Sequence, residues 1–199
     1  CRPATSSGSA PGAFTEDRGA RALADYEEKT GRTQTVYHAY HRGMNALFPT
    51  DEELEIAGDP SRPRVLFLNW KPWDASWAEI ASGAADDYLD RLAEHITATY
   101  TAPFFFTVHH EPEEEVRDRR GSGYTARDYR DMFRHVVTRL RGAGVDNLVT
   151  VVVHMAYVPY TSEPGSRSSI RAMTWSTGSP GTPMPTASAA NTVTATSRS

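Results

Sequence analysis

The sequence predicts an α/β chain in which strands of a parallel sheet alternate with helices, and three observations carry that reading. Short, nearly continuous apolar runs recur at residues 64–70, 103–109 and 148–154. Runs of this kind suit strands covered on both faces, as in a parallel sheet. Between the runs lie longer stretches with the 3.6-residue apolar period of a helix. Proline or glycine separates most segments, so strand and helix alternate through residue 155, the pattern of βα units.

Residues 1–11 are Ser, Gly and Pro-rich and read as a flexible segment, and Ala13 and Phe14 close a short first strand. Residues 15–30 read as a helix with Thr15 as N-cap, acids in the first turn, Leu23 and Tyr26 on one face, and Gly31 at its end. Residues 35–40 form a second strand, and residues 51–57 a short helix beyond Pro49. R-V-L-F-L-N-W at 64–70 is a third strand, bracketed by Pro63 and Pro72. Residues 83–97 read as a helix with Tyr88, Leu89, Leu92 and Ile96 on its apolar face. Residues 103–109 are the next strand. The longest helix spans 125–142, with Thr125 and Asp128 at capping-box spacing and Tyr129, Met132, Phe133, Val136, Val137 and Leu140 as its stripe. L-V-T-V-V-V-H at 148–154 is a further buried strand. After Pro164 the chain turns to Ser, Thr, Ala, Pro and Arg, without acids or apolar period. By composition residues 165–199 form an irregular, disordered tail.

The chain has 199 residues, enough for one domain with a real core, and a net charge of −4 argues against nucleic-acid binding. The basic cluster Arg117, Arg119 and Arg120 is interrupted by Asp118 and reads as a solvated loop. No apolar stretch approaches the length of a membrane span. Lys29 and Lys71 are the only lysines, against abundant Arg, Ala, Gly and Pro, the signature of a GC-rich genome. The one cysteine, Cys1, excludes an intrachain disulfide. It reads either as the acylated first residue of a bacterial lipoprotein or as the point where a fragment begins.

The chemistry concentrates at 103–115, P-F-F-F-T-V-H-H-E-P-E-E-E. Phe104, Phe105, Phe106 and Val108 make an apolar strand that ends in His109, His110 and Glu111, with Pro112 as its stop. Active sites of α/β folds lie at the carboxyl ends of parallel strands. A carboxyl placed there, beside aromatics and imidazoles, is set to have the raised pKa of a general acid. Glu111 is therefore the expected catalytic residue, against the plainer reading of one more loop glutamate beside Glu113, Glu114 and Glu115, which are expected to be solvated. The strand's alternation makes His110 the site residue and His109 the structural one. His154, ending the next strand, lines the same mouth or is a structural histidine. A metal site from His109, His110, Glu111 and His154 is not expected, because adjacent strand histidines do not converge on one ion and no H-x-H or H-E-x-x-H spacing occurs. Trp70, Lys71, Trp73 and Trp77 follow a strand end, where aromatic rings can stack on sugars or simply pack. Tyr157 and Tyr160 carry the same two readings. No Gly-rich phosphate loop and no nucleophile elbow is present, and no cofactor is expected.

These residues resemble glycoside hydrolase family 26, the β-mannanase family. The resemblance lies in T-V-H-H-E-P-E at 107–113 and in W-K-P-W-D-A-S-W-A-E-I-A-S-G at 70–83, and covers about residues 10–160. It implies a (β/α)8 TIM barrel, usually secreted, that cleaves β-mannans, less often mixed-linkage glucans or xylans, with retention. A β-linked polysaccharide or oligosaccharide is then the partner and a monomer the expected state. Glu111 matches the family's acid/base glutamate at the end of strand four, and His110 the histidine before it. Retention also needs a nucleophilic carboxylate about 5–5.5 Å from the acid/base. The family carries it on strand seven, and here the acids end with Glu163. The pattern supplies about five of eight βα units, so 12–164 reads as a partial barrel domain.

Residues 165–185 offer a reason. Reverse-translated and read from the third base of each codon, they allow F-A-K-L-Y-P-G-D-D-V-V-D-W-I-A-W-D-P-Y-A, which resembles the family's strand-six region. The tail accordingly reads as out-of-frame translation after a frameshift near Pro164. The alternative is a non-catalytic carbohydrate-binding pseudoenzyme module built on Trp70, Trp73 and Trp77.

Overall fold

The computed structural model describes residues 19–154. Expectations for Cys1, for the first strand and Thr15, for Tyr157 and Tyr160 and for the 165–199 tail lie outside them. Within them the chain is α/β, with four parallel strands in the order β1-β2-β3-β4. The strands are β1 (Val36–Arg42), β2 (Val65–Lys71), β3 (Phe104–Val108) and β4 (Leu148–Thr150). The helices are α1 (Gly19–Thr30), α2 (Asp51–Gly58), α3 (Trp77–Ala81), α4 (Asp86–Thr99) and α5 (Ala126–Gly142). Each strand pairs with its successor in sequence, as repeated βα units require, and the four form an open sheet.

Thr50 and Thr125 close capping boxes at α2 and α5. The predicted helix at 83–97 divides differently. Gly83 sits at φ +101, a turn conformation, so α4 begins after it at Asp86. The short α3 precedes it, nucleated by a Ser76–Glu79 capping box too brief to show a period. β4 is shorter than the predicted 148–154: its ladder with β3 ends at Thr150 opposite Phe106, although Val151 N–H still donates to the Phe106 carbonyl. The acids expected in the first turn of the 15–30 helix, Glu16 and Asp17, lie outside the described residues. The buried residue of α1 is Glu27, while Leu23 and Tyr26 are only half-buried.

The two faces of the sheet differ. Leu66, Leu68 and Trp70 of β2, with Phe104, Phe106 and Val108 of β3, face the helices and join Leu89, Leu92, Tyr129 and Val136 in the core. The opposite face is graded along the strands. Val36 and Val65 form its lowest row, and His38, Phe67, Phe105 and Val149 the next, with the His38 ring stacked on Phe67 at 4.1 Å. Tyr40, Asn69 and Thr107 form the next row, and Arg42 and Lys71 the last, at the carboxyl edge. The face thus runs from apolar to polar to charged toward the strand ends. No helix of the described residues is long and apolar enough to cross a membrane.

Candidate functional site

β3 ends in a sharp turn. His109 and Glu111 both adopt left-handed φ values, 53° and 51°, which non-glycine residues hold only when their surroundings fix them. The anchors are visible. His109 N–H donates to the Trp70 carbonyl at 2.8 Å, and the Tyr129 hydroxyl donates to the carbonyls of Val108 and His109 at 3.0 and 3.1 Å. Glu111 N–H donates to the Val153 carbonyl at 2.9 Å, and Pro112 opens a single 3₁₀ turn, Pro112–Glu114. The turn lifts His110 and Glu111 over the polar edge of the sheet.

His110 is half-buried, with Nδ1 at 3.2 Å from Asn69 Oδ1 and its ring edge-on to Tyr40 at 5.2 Å. Burial, with the charges of Lys71 and Arg42, lowers its pKa. The Glu111 carboxyl is pushed up, first by partial burial, then by the charges of Glu113 and Glu114, against an opposing pull from Lys71. Among the described residues no hydrogen bond or ion pair holds that carboxyl. Glu111 in turn raises the Tyr40 hydroxyl, whose main cause is burial.

His109 is buried, 2% exposed, and burial lowers its pKa to about 4. Its Nδ1 accepts from Trp77 Nε1 at 3.2 Å, which leaves the proton on Nε2, facing Glu115 Oε2 at 3.2 Å. The other Glu115 oxygen pairs with Lys71 Nζ. Burial would raise the Glu115 carboxyl, but its bond to Lys71 and the charge of that ammonium outweigh it and hold it low. Glu113 is half-buried, its side chain 4% exposed, and meets His154 Nδ1 at 2.5 Å. Of the three glutamates expected to be solvated, only Glu114 is.

Glu111, His110, Lys71 and His154 therefore gather at the carboxyl ends of the strands. Trp70 and Trp77 do not. Trp70 is fully buried on the helix face, stacked on Tyr88 at 5.3 Å with Nε1 bonded to the Gly43 carbonyl. It alternates with Leu66 and Leu68, so Asn69 and Lys71 take the open face instead. Trp77 is 1% exposed, wedged among His109, Tyr124 and Tyr129. Trp73 is 60% exposed, with the Arg42 guanidinium 4.9 Å from its ring centre. It borders an open groove of about 990 Å³ that Asp74, Glu79, Arg120, Tyr124 and Arg127 also line. A smaller hollow of about 240 Å³, lined by Lys71, His109 and Glu115, shares Trp73 and Tyr124 with it. Glu111 lines neither groove. Tyr40, Asn69, Glu113 and Glu115 were not singled out by sequence. The alternation of β2, which turns polar at Asn69 and Lys71 on one face only, was the available signal for Asn69.

No family model matches the chain. It is 24% identical over 135 residues to the curated protein Endoglucanase H of Acetivibrio thermocellus, covering 64% of this chain and 14% of that protein. The chain thus spans about one seventh of the length of the relative it matches. This similarity supports a relationship to glycoside hydrolases in general, and not to family 26 or to mannan in particular.

Proposed function

We propose that this chain carries the acid/base half of a retaining glycoside hydrolase that acts on a β-linked polysaccharide, with Glu111 as proton donor. The observation that supports it most is Glu111 itself, a carboxyl with raised pKa and no partner among the described residues, held at a strand's carboxyl end beside His110. In the first step Glu111 gives its proton to the departing glycosidic oxygen, and in the second it takes one from the attacking water. Asn69 fixes His110 beside it. The finer assignment, a family 26 (β/α)8 barrel cleaving β-mannan outside the cell, rests on the resemblance of 70–83 and 107–113. The name of Endoglucanase H makes β-glucan the competing substrate. The nucleophile belongs to the segment we read as out of frame after Pro164.

The test is hydrolysis of β-mannan, mixed-linkage β-glucan and xylan by the chain as it stands and by a version with the frame restored from Pro164. The reading expects negligible turnover from the first, and from the second turnover with products of retained configuration, followed by NMR. Absence of hydrolysis by a folded, frame-restored protein would refute it.

The exposed Trp73 favours a second reading, a carbohydrate-binding module without catalysis. On either reading Trp73→Ala is expected to weaken oligosaccharide binding about tenfold, or about 1.4 kcal/mol, measured by calorimetry. In a catalytic form the loss should fall on KM and leave kcat nearly unchanged. Unchanged binding would remove Trp73 from the site.

A further inference from the structure

We propose that Glu115 is a positioning residue: by holding Lys71 on one carboxylate oxygen, with the buried His109 beside the other, it keeps the Lys71 ammonium from pairing with Glu111. The inference rests on the reading of Glu111 as proton donor. Lys71 ends the charged row of the open face, and its charge already acts on Glu111. An opposite charge at close range lowers a carboxyl's pKa by about 1–3 units. A Lys71–Glu111 pair would thus strip Glu111 of the proton it has to donate.

Glu115 prevents that pairing because it is bonded to Lys71 and sits against the buried His109. Lys71 comes from β2, 44 residues away, and His109 from the turn after β3. His109 cannot swing off, because Trp77 Nε1 occupies its Nδ1 and it is buried in the core. Its tautomer leaves the proton on Nε2, which lies 3.2 Å from Glu115 Oε2 without the alignment of a hydrogen bond. The groups acting on Glu111 are Lys71 of β2 and Glu113 and Glu114 of its own turn, with Tyr40 of β1 coupled to it, while Arg42 of β1 acts on the adjacent His110. His154, beyond β4, is engaged by Glu113. Lys71 is the cation whose pull on Glu111 the structure shows, and Glu115 is its partner.

The test is a titration of the Glu111 carboxyl by carbon-13 NMR in the chain as it stands, assigned with Glu111→Gln. In the parent protein it should titrate above the ordinary glutamate value of about 4.3. In Glu115→Gln it should fall by about one unit or more, and the double variant Glu115→Gln/Lys71→Met should restore or exceed the parent value. Glu115→Asp keeps the charge but is too short to span both partners, so it should give a smaller fall. It replaces Glu115→Gln in the comparison if that variant does not fold. An unchanged Glu111 titration in the Glu115 variants would overturn the proposal, as would a fall that persists in the double variant. A parent value at or below the ordinary one would instead overturn the proton-donor reading itself.

Discussion

In the frame-restored protein, Glu111→Ala is expected to lower kcat/KM on β-linked polysaccharide by about 10²–10⁴-fold. A sugar alkoxide is a poor leaving group, so its departure depends on the proton that Glu111 gives. No neighbour is placed to take over. His110 has its pKa lowered by burial and its Nδ1 facing Asn69. Glu113 is engaged with His154, and Glu115 is shared between Lys71 and His109. Circular dichroism and an unchanged melting curve would separate this loss from misfolding. A loss below about tenfold on polysaccharide would mean that another group supplies the proton.

The second large effect concerns stability. Glu27→Ala is expected to destabilise the protein by about 3–5 kcal/mol, because it strands a buried guanidinium. The Arg64 side chain is 4% exposed, and its Nη2 lies 2.9 and 3.0 Å from the two oxygens of Glu27. Glu27 also accepts from Arg62 Nη1 at 2.9 Å and from Gln34 N–H at 2.8 Å, so one carboxylate ties α1 to the start of β2. The pair itself contributes much less than its rupture costs. Glu27→Met with Arg64→Met should therefore cost clearly less than Glu27→Ala alone. Urea unfolding followed by tryptophan fluorescence measures both. A double variant as damaging as the single one would show that the charge left behind is not the cause.

What could be read from sequence follows from how local each cause is. The placement of Glu111 and His110 at the end of a strand was legible because an apolar strand runs directly into them, and α5 because its stripe and its Thr125 cap lie within one element. Trp70 was misplaced because β2 is apolar on both faces in its middle, so a two-residue period does not say which face carries the ring. The E-P-E-E-E run looks solvated because its partners are distant: His154 lies 41 residues from Glu113, and Lys71 44 from Glu115. Glu27 and Arg64, 37 residues apart, were invisible for the same reason. The parallel sheet was legible from the alternation of elements, whereas its graded open face emerged only from the strand register.

The most direct test of Glu111 as proton donor is the leaving-group dependence of kcat/KM in frame-restored Glu111→Ala. On a dinitrophenyl glycoside, whose phenolate departs without a proton, the loss relative to the parent should be small, about tenfold or less. It should grow as the leaving group becomes more basic and reach its full size on polysaccharide. A loss of the same size across the whole series would contradict the assignment of Glu111 as the acid.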